Sequence, residues 1–208
     1  TPLEQKIISD YGLQNFVVCT DAGLSSTANR KFNDIGNRKF VTTQSIKKLK
    51  GFLQDFCLGD DGWHLEGSKK TYKLSELDED SDYEKTFYKD RWINEDGLEQ
   101  HLIVTFSLKY KKYQQNIRER QIERARNLVA KPYSLKKNKT NDPKRFIDQS
   151  YCTADGEVAN HTFTSLNEKQ IATEEKYDGF YAVCTNLEDD VPSIVRINQK
   201  RWEIEECF

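Results

Sequence analysis

The sequence predicts an α/β protein with a mixed sheet, and three observations carry that expectation. Phe16, Val17, Val18, Cys19 and Thr20 form a short apolar run of the kind that builds a buried strand, and Lys39, Phe40, Val41, Thr42 and Thr43 form a second. Between them Ser26 stands as an N-cap before a helical stretch to about residue 35, with Gly36 as its terminator. A third run, residues 180–185, follows Asp178 and Gly179 and leads into a helix spanning about 192–208. Helix and strand alternate at both ends of the chain, an order that calls for at least some parallel pairing.

The elements follow in order. Leu3, Ile7 and Ile8, then Tyr11 and Gly12, suit a short helix with a glycine stop. The strand over 16–20 closes on Asp21, and Ala22, Gly23, Leu24 and Ser25 turn into the next helix. From about residue 51 the chain shifts towards β-propensity and charge. Segments 87–93 and 101–108 flank Asp96 and Gly97, a strong hairpin signal, and Leu102, Val104, Phe106 and Leu108 alternate as one buried face. A helix is expected over about 111–130, then a loop from Lys136 to Pro143. The expected division is therefore a first core part (1–50), a β-rich insertion with a basic helix (51–170), and the remainder of the core (171–208).

Composition bounds the function. The 208 residues allow one well-filled core carrying an insertion, and 36% hydrophobic against 32% charged favours a large solvated or nucleic-acid-facing surface. No apolar run approaches the roughly 20 residues that span a bilayer, and no signal segment opens the chain. A soluble, cytoplasmic protein is expected. Cys19, Cys57, Cys152, Cys184 and Cys207 lack C-x-x-C spacing and imply neither disulfides nor zinc. A chain that contains no methionine, opens at Thr1 and ends inside a helical pattern reads as a piece of a longer protein.

Two carboxylates stand out. Asp21 closes a strand, where a side chain is well placed to hold a cation, and Glu205 lies one helical turn after Arg201. In two-metal phosphoryl transfer, acidic groups hold divalent ions about 3.5 to 4 Å apart. Hard Mg²⁺ or Mn²⁺ suits oxygen ligands without neighbouring His or Cys. Arg201 would contact a DNA phosphate beside the metals. Both features also have plain structural readings: an Asp after a strand often caps the next turn, and an Arg–Glu pair at this spacing is commonly a surface ion pair.

Three segments, Val17 to Ser25, Asp178 to Asn186 and Arg201 to Glu205, resemble blocks of bacterial insertion-sequence transposases of the DDE type, in matching order and spacing. The resemblance implies a ribonuclease-H-like core with a β-rich insertion between the second catalytic Asp and the Glu. Asp21 falls at that second Asp, Glu205 at the Glu, and Arg201 at the arginine of a Tyr-x-x-Arg-x-x-x-Glu signature. The chain departs from the pattern at Asn198, which stands where the family has tyrosine. The family's first Asp would lie upstream of Thr1 and its signature lysine beyond Phe208, so the fragment alone is expected to be inactive. Paired transposon ends and target DNA are the implied partners, with a homo-oligomer as the active state.

Residues 109–145 hold thirteen basic and three acidic residues, a local balance of +10. Arg118, Arg120, Arg124 and Arg126 on the helix, and Lys136, Lys137 and Lys139 after it, are the candidate phosphate contacts. On a helical wheel the basic residues spread round the circumference, with Tyr113, Ile117, Ala125 and Val129 as a packing stripe, so a solvated charged helix competes with a DNA-contacting one. Trp63, Trp92 and Trp202 offer rings for base stacking, Trp202 foremost, although core packing is the preferred role of each. His64, His101 and His161 lack metal-ligand spacing. Two functional readings follow: a transposase catalytic domain, or a non-catalytic nucleic-acid-binding or assembly module working through its basic insertion.

Overall fold

The computed structural model describes residues 6, 9–10, 17–36, 38–130, 142–152 and 158–205, with side chains for all of these except 150–152, 158–163 and 201–205. The fold is mixed α/β. Its strands are β1 (Val17–Thr20), β2 (Lys39–Thr43), β3 (His64–Leu65), β4 (Phe87–Glu95), β5 (Leu98–Phe106), β6 (Ile147–Cys152), β7 (Val158–Leu166) and β8 (Phe180–Thr185). The helices are α1 (Thr27–Asn33), α2 (Gly51–Leu58), α3 (Leu108–Ala130), α4 (Glu168–Glu175) and α5 (Val191–Glu205). The helix expected over the first eight residues lies largely outside the described ones.

Two compact units divide the chain: residues 1–107 with 180–208, and residues 108–179. The first contains a six-stranded sheet in the order β1-β2-β8-β5-β4-β3. Only β1 and β2 are parallel; the remaining pairs are antiparallel. The parallel pair is the one that helix-strand alternation calls for, because α1 provides its crossover. The β4–β5 hairpin is as the sequence suggests, with Asp96 at φ 53° and Gly97 at φ 80° making the two-residue turn that a right-twisted hairpin favours. It is not a subdomain of its own. Residues 101–106 of β5 pair with 180–185 of β8, so the hairpin extends the sheet that contains β1 and β2. The separate body begins only at Leu108, where the expected strand end becomes the first residue of α3.

Both faces of this sheet are covered, which explains the near-continuous apolar sequence of β8. On one face Val41, Ile103, Val183, Leu187, Val191 and Ile194 form a buried cluster with Val17, Cys19, Tyr181, Val195 and Ile197 against it, so α5 packs there. Residues one step along each strand point the other way. There Phe40, Phe87, Leu102, Val104 and Phe106 are buried, and Trp63 packs its ring on Phe106 and Phe180. Polar bonds tie two helices to that face: Arg30 of α1 to Gln100 (3.0 Å), and Lys89 to the carbonyl of Gly59 at the end of α2 (2.8 Å).

In the second unit α3 packs Ile122 and Ala125 against Phe146, Ile147 and Ile171, and β6 pairs with β7 as a hairpin. Neither that hairpin nor α2 and α4 is among the elements expected from the sequence.

Candidate functional site

The end of β1 is built from its last residues. Thr20 shares a hydroxyl hydrogen bond with Thr42 on the parallel neighbour (2.7 Å). Asp21 continues in extended backbone (φ −78°, ψ 177°) and caps the single 3₁₀ turn Ala22–Leu24. Its Oδ1 accepts from the amides of Gly23 (2.9 Å) and Leu24 (3.1 Å), so the capping role open to it in the sequence is filled. Capping occupies one oxygen only. Asp21 is exposed, and its Oδ2 accepts no hydrogen bond from any described residue. A Cβ at Gly23 would sit 3.2 Å from Oδ1 and 3.7 Å from Oδ2, so the glycine keeps clearance beside the carboxylate. An oriented, solvent-facing carboxylate of this kind can serve as one ligand to a hard cation.

Strand alternation puts Asp21 on the same sheet face as Val17 and Cys19, the face α5 covers. Because β8 is antiparallel to β2 and β2 parallel to β1, the chain leaves β8 at the end of the sheet opposite Asp21 before entering α5. The last turns of α5 carry Arg201, Trp202 and Glu205. Their side chains lie outside the described ones, as does all structure for Lys136, Lys137 and Lys139. One turn earlier, Asn198, at the family's tyrosine position, is buried, and its Oδ1 finds no hydrogen-bond donor among the described residues. Among the described residues no group of three or more His, Cys, Asp or Glu is arranged to hold a metal.

The arginines of α3 separate into different roles. Arg118 is buried and makes a bidentate pair with Asp178, both N–O distances being 2.6 Å, with Glu175 at 3.7 Å. Those hydrogen bonds and charges hold its pKa above the ordinary value. It cannot also serve as a phosphate contact without breaking that pair. Asp178 in turn anchors the end of the second unit, where Gly179, at φ 85°, donates its amide to Gln114 Oε1 (2.7 Å). Arg120, Arg124 and Arg126 are exposed. The expected packing stripe shifts accordingly, for Tyr113 and Ile117 are exposed while Arg118, Ile122 and Ala125 face inward.

The tryptophans and histidines also divide. Trp63 is fully buried, as preferred, whereas Trp92 is exposed and stacks flat on His101 with ring centres 4.9 Å apart. His101 Nε2 is hydrogen-bonded to Asp90 (2.6 Å). Sequence reasoning missed Lys89, a buried lysine on an alternating strand. Its ammonium lies 4.3 Å from the Trp63 ring centre and 5.1 Å from that of Phe56, and burial pushes its pKa down to about 8. Its position in register with Phe87 and Ile93 was the available signal.

Comparison with known proteins finds no matching family model, no significantly similar curated protein and no significantly similar solved structure.

Proposed function

We propose that this chain is part of the catalytic domain of a DDE-type DNA transposase, cutting and joining DNA by divalent-metal-dependent attack of water or a 3′-hydroxyl on phosphodiesters. The observation that carries the reading is Asp21: an exposed carboxylate oriented by two amides through one oxygen, one residue beyond the strand whose Val17 and Cys19 pack on the face that α5 covers. A 15-residue helix lying on that face and beginning at the far end of the sheet is suited to bring Glu205 towards Asp21. The mixed sheet with one parallel pair at its β1 edge is compatible with a ribonuclease-H-like core, and an upstream strand bearing the remaining Asp would pair at that edge.

Asp21 and Glu205 would hold Mg²⁺ or Mn²⁺, and Arg201 would contact phosphate beside them. The bound ions would supply charge neutralisation of the attacking and leaving oxygens. Asp21 alone of these ligands has a described side chain, and its donor chemistry fits a hard cation. The chain's own contribution is positioning: the Gly23 and Leu24 amides fix the carboxylate before any ion arrives.

The test is Mg²⁺-dependent cleavage by the protein that contains this chain. Asp21→Asn and Glu205→Gln should each lower it by about a hundredfold or more, as expected for several kcal/mol of lost metal stabilisation. Cleavage within a factor of about two of the unsubstituted protein would sink the reading. In a Mn²⁺-soaked crystal, the two carboxylates should lie within roughly 8 Å, the reach of ligands around a two-metal pair.

A further inference from the structure

We infer that the outward stripe of α3, comprising Tyr113, Ile117, Arg120 and Arg124 with Lys109 at the same helical phase, is a surface for a nucleic-acid strand. The inference shares DNA with the reading above but none of its residues. Its first support is geometric. At 100° per residue these five positions fall within about 80° of the helix circumference and run about 22 Å along it. That arc lies opposite Arg118, Ile122 and Ala125, which face the core of the second unit. Glu119 and Glu123 fall on one flank, with Arg126 beyond them, so the stripe itself contains no acidic residue.

Its second support is chemical. Tyr113 is 59% exposed and Ile117 38%, so the stripe presents an aromatic ring and a branched aliphatic chain beside its arginines. The Tyr113 ring lies near-parallel to that of Tyr110, 6.2 Å between centres. Arg120 and Arg124, one turn apart and exposed, make no ion pair among the described residues. Planar guanidinium groups fit phosphate, and a neighbouring exposed ring and branched aliphatic chain fit a base face and a sugar or methyl group.

The third support is the charge balance. Residues 108–179 contain 15 Lys and Arg against 10 Asp and Glu, a net +5, whereas the rest of the chain has 17 against 24, a net −7. An anionic polymer is therefore attracted to the second unit, where Lys109, Arg120 and Arg124 stand along one face of α3.

Fluorescence anisotropy of a labelled 30-bp duplex and a labelled 30-nucleotide oligo(dT) tests this, with the full chain, in EDTA and across a salt series. Arg120→Gln with Arg124→Gln should weaken duplex binding about tenfold or more and reduce the log–log salt slope by nearly two, at about 0.9 for each phosphate no longer neutralised. The charge-conserving pair Arg120→Lys with Arg124→Lys should keep most of the slope. Tyr113→Ala should weaken the single strand more than the duplex if a base stacks there, and both equally if the ring rests on sugar. Wild-type affinity in the double Gln variant, with an unchanged thermal melt, would overturn the inference. So would an equal loss in Arg126→Gln, or displacement of DNA by polyglutamate at matched charge, which would make the face a site for an acidic protein. Binding is read in EDTA and cleavage in Mg²⁺, so failure of the metal site and failure of the stripe are read separately.

Discussion

Lys89 is the residue at which burial and charge oppose each other most openly. Its amine shares the Gly59 carbonyl with the indole of Trp63, at 2.8 and 2.9 Å, which satisfies the end of α2 but desolvates the ammonium. With a folded pKa of about 8 against an ordinary 10.5, the folded state resists the proton. Below pH 8 both states carry it and the cost is fully felt. Between pH 8 and 10.5 only the unfolded chain still holds the proton, so stability rises with pH. Cys57 and Cys184 act in the opposite sense. Burial lifts them to about 11 and about 12 from 9.0, giving stability that is present below pH 9 and lost as pH climbs through those values. Urea midpoints followed by tryptophan fluorescence should therefore rise from about pH 8 to 9 and turn over above it. Lys89→Met should abolish the rise and keep the fall. The buried Arg118–Asp178 pair makes a second prediction at this scale. Asp178→Ala leaves the buried Arg118 guanidinium with only the exposed Glu175, 3.7 Å away, and should cost roughly 3 kcal/mol in chemical denaturation, whereas replacing both partners by apolar residues should recover most of that.

The hairpin illustrates what an element can announce in advance. Asp96 and Gly97 between alternating runs specify a turn in which both residues need φ > 0, and the backbone adopts φ 53° and 80° there. Gly97→Ala should lower stability by about 1–2 kcal/mol in urea denaturation, the cost of a Cβ in left-handed backbone. Open space surrounds that Cβ, so the backbone conformation alone carries the effect. β1, β2, β8, α1 and α5 were legible for the same reason: apolar runs bounded by caps and glycines. The hairpin's destination was not, because alternation states which face is buried and not which strand lies alongside. Only the pairing of 101–106 with 180–185, some eighty residues apart, joins it to the main sheet. The short α2 has no side-chain cap at Lys50, so nothing in the sequence marks its start. By contrast α4 does carry a signal: Asn167 caps it by accepting the Gln170 amide at 2.8 Å, an Asn-x-x-Gln pattern. At the site, Asp21 was legible as a strand-end carboxylate, but its clearance from Gly23 and the inward turn of Arg118 depend on packing that no local pattern encodes.

For the whole molecule, the near-neutral total of −2 conceals two oppositely charged units, and the two proposals give separate work to each. A net −7 body repels a phosphodiester, so the proposed DNA cleavage near Asp21 would depend on cations bound there, while the +5 body would attract DNA without them. The two proposals should consequently dissociate in both directions within one protein. Asp21→Asn should reduce Mn²⁺ affinity in calorimetry and keep duplex affinity in EDTA. Arg120→Gln with Arg124→Gln should lose duplex affinity and keep Mn²⁺ affinity within about a factor of two, because a guanidinium is no ligand to a hard cation. If a single substitution removes both activities while the thermal melt is unchanged, metal and DNA occupy one shared site, and the division of labour between the units fails.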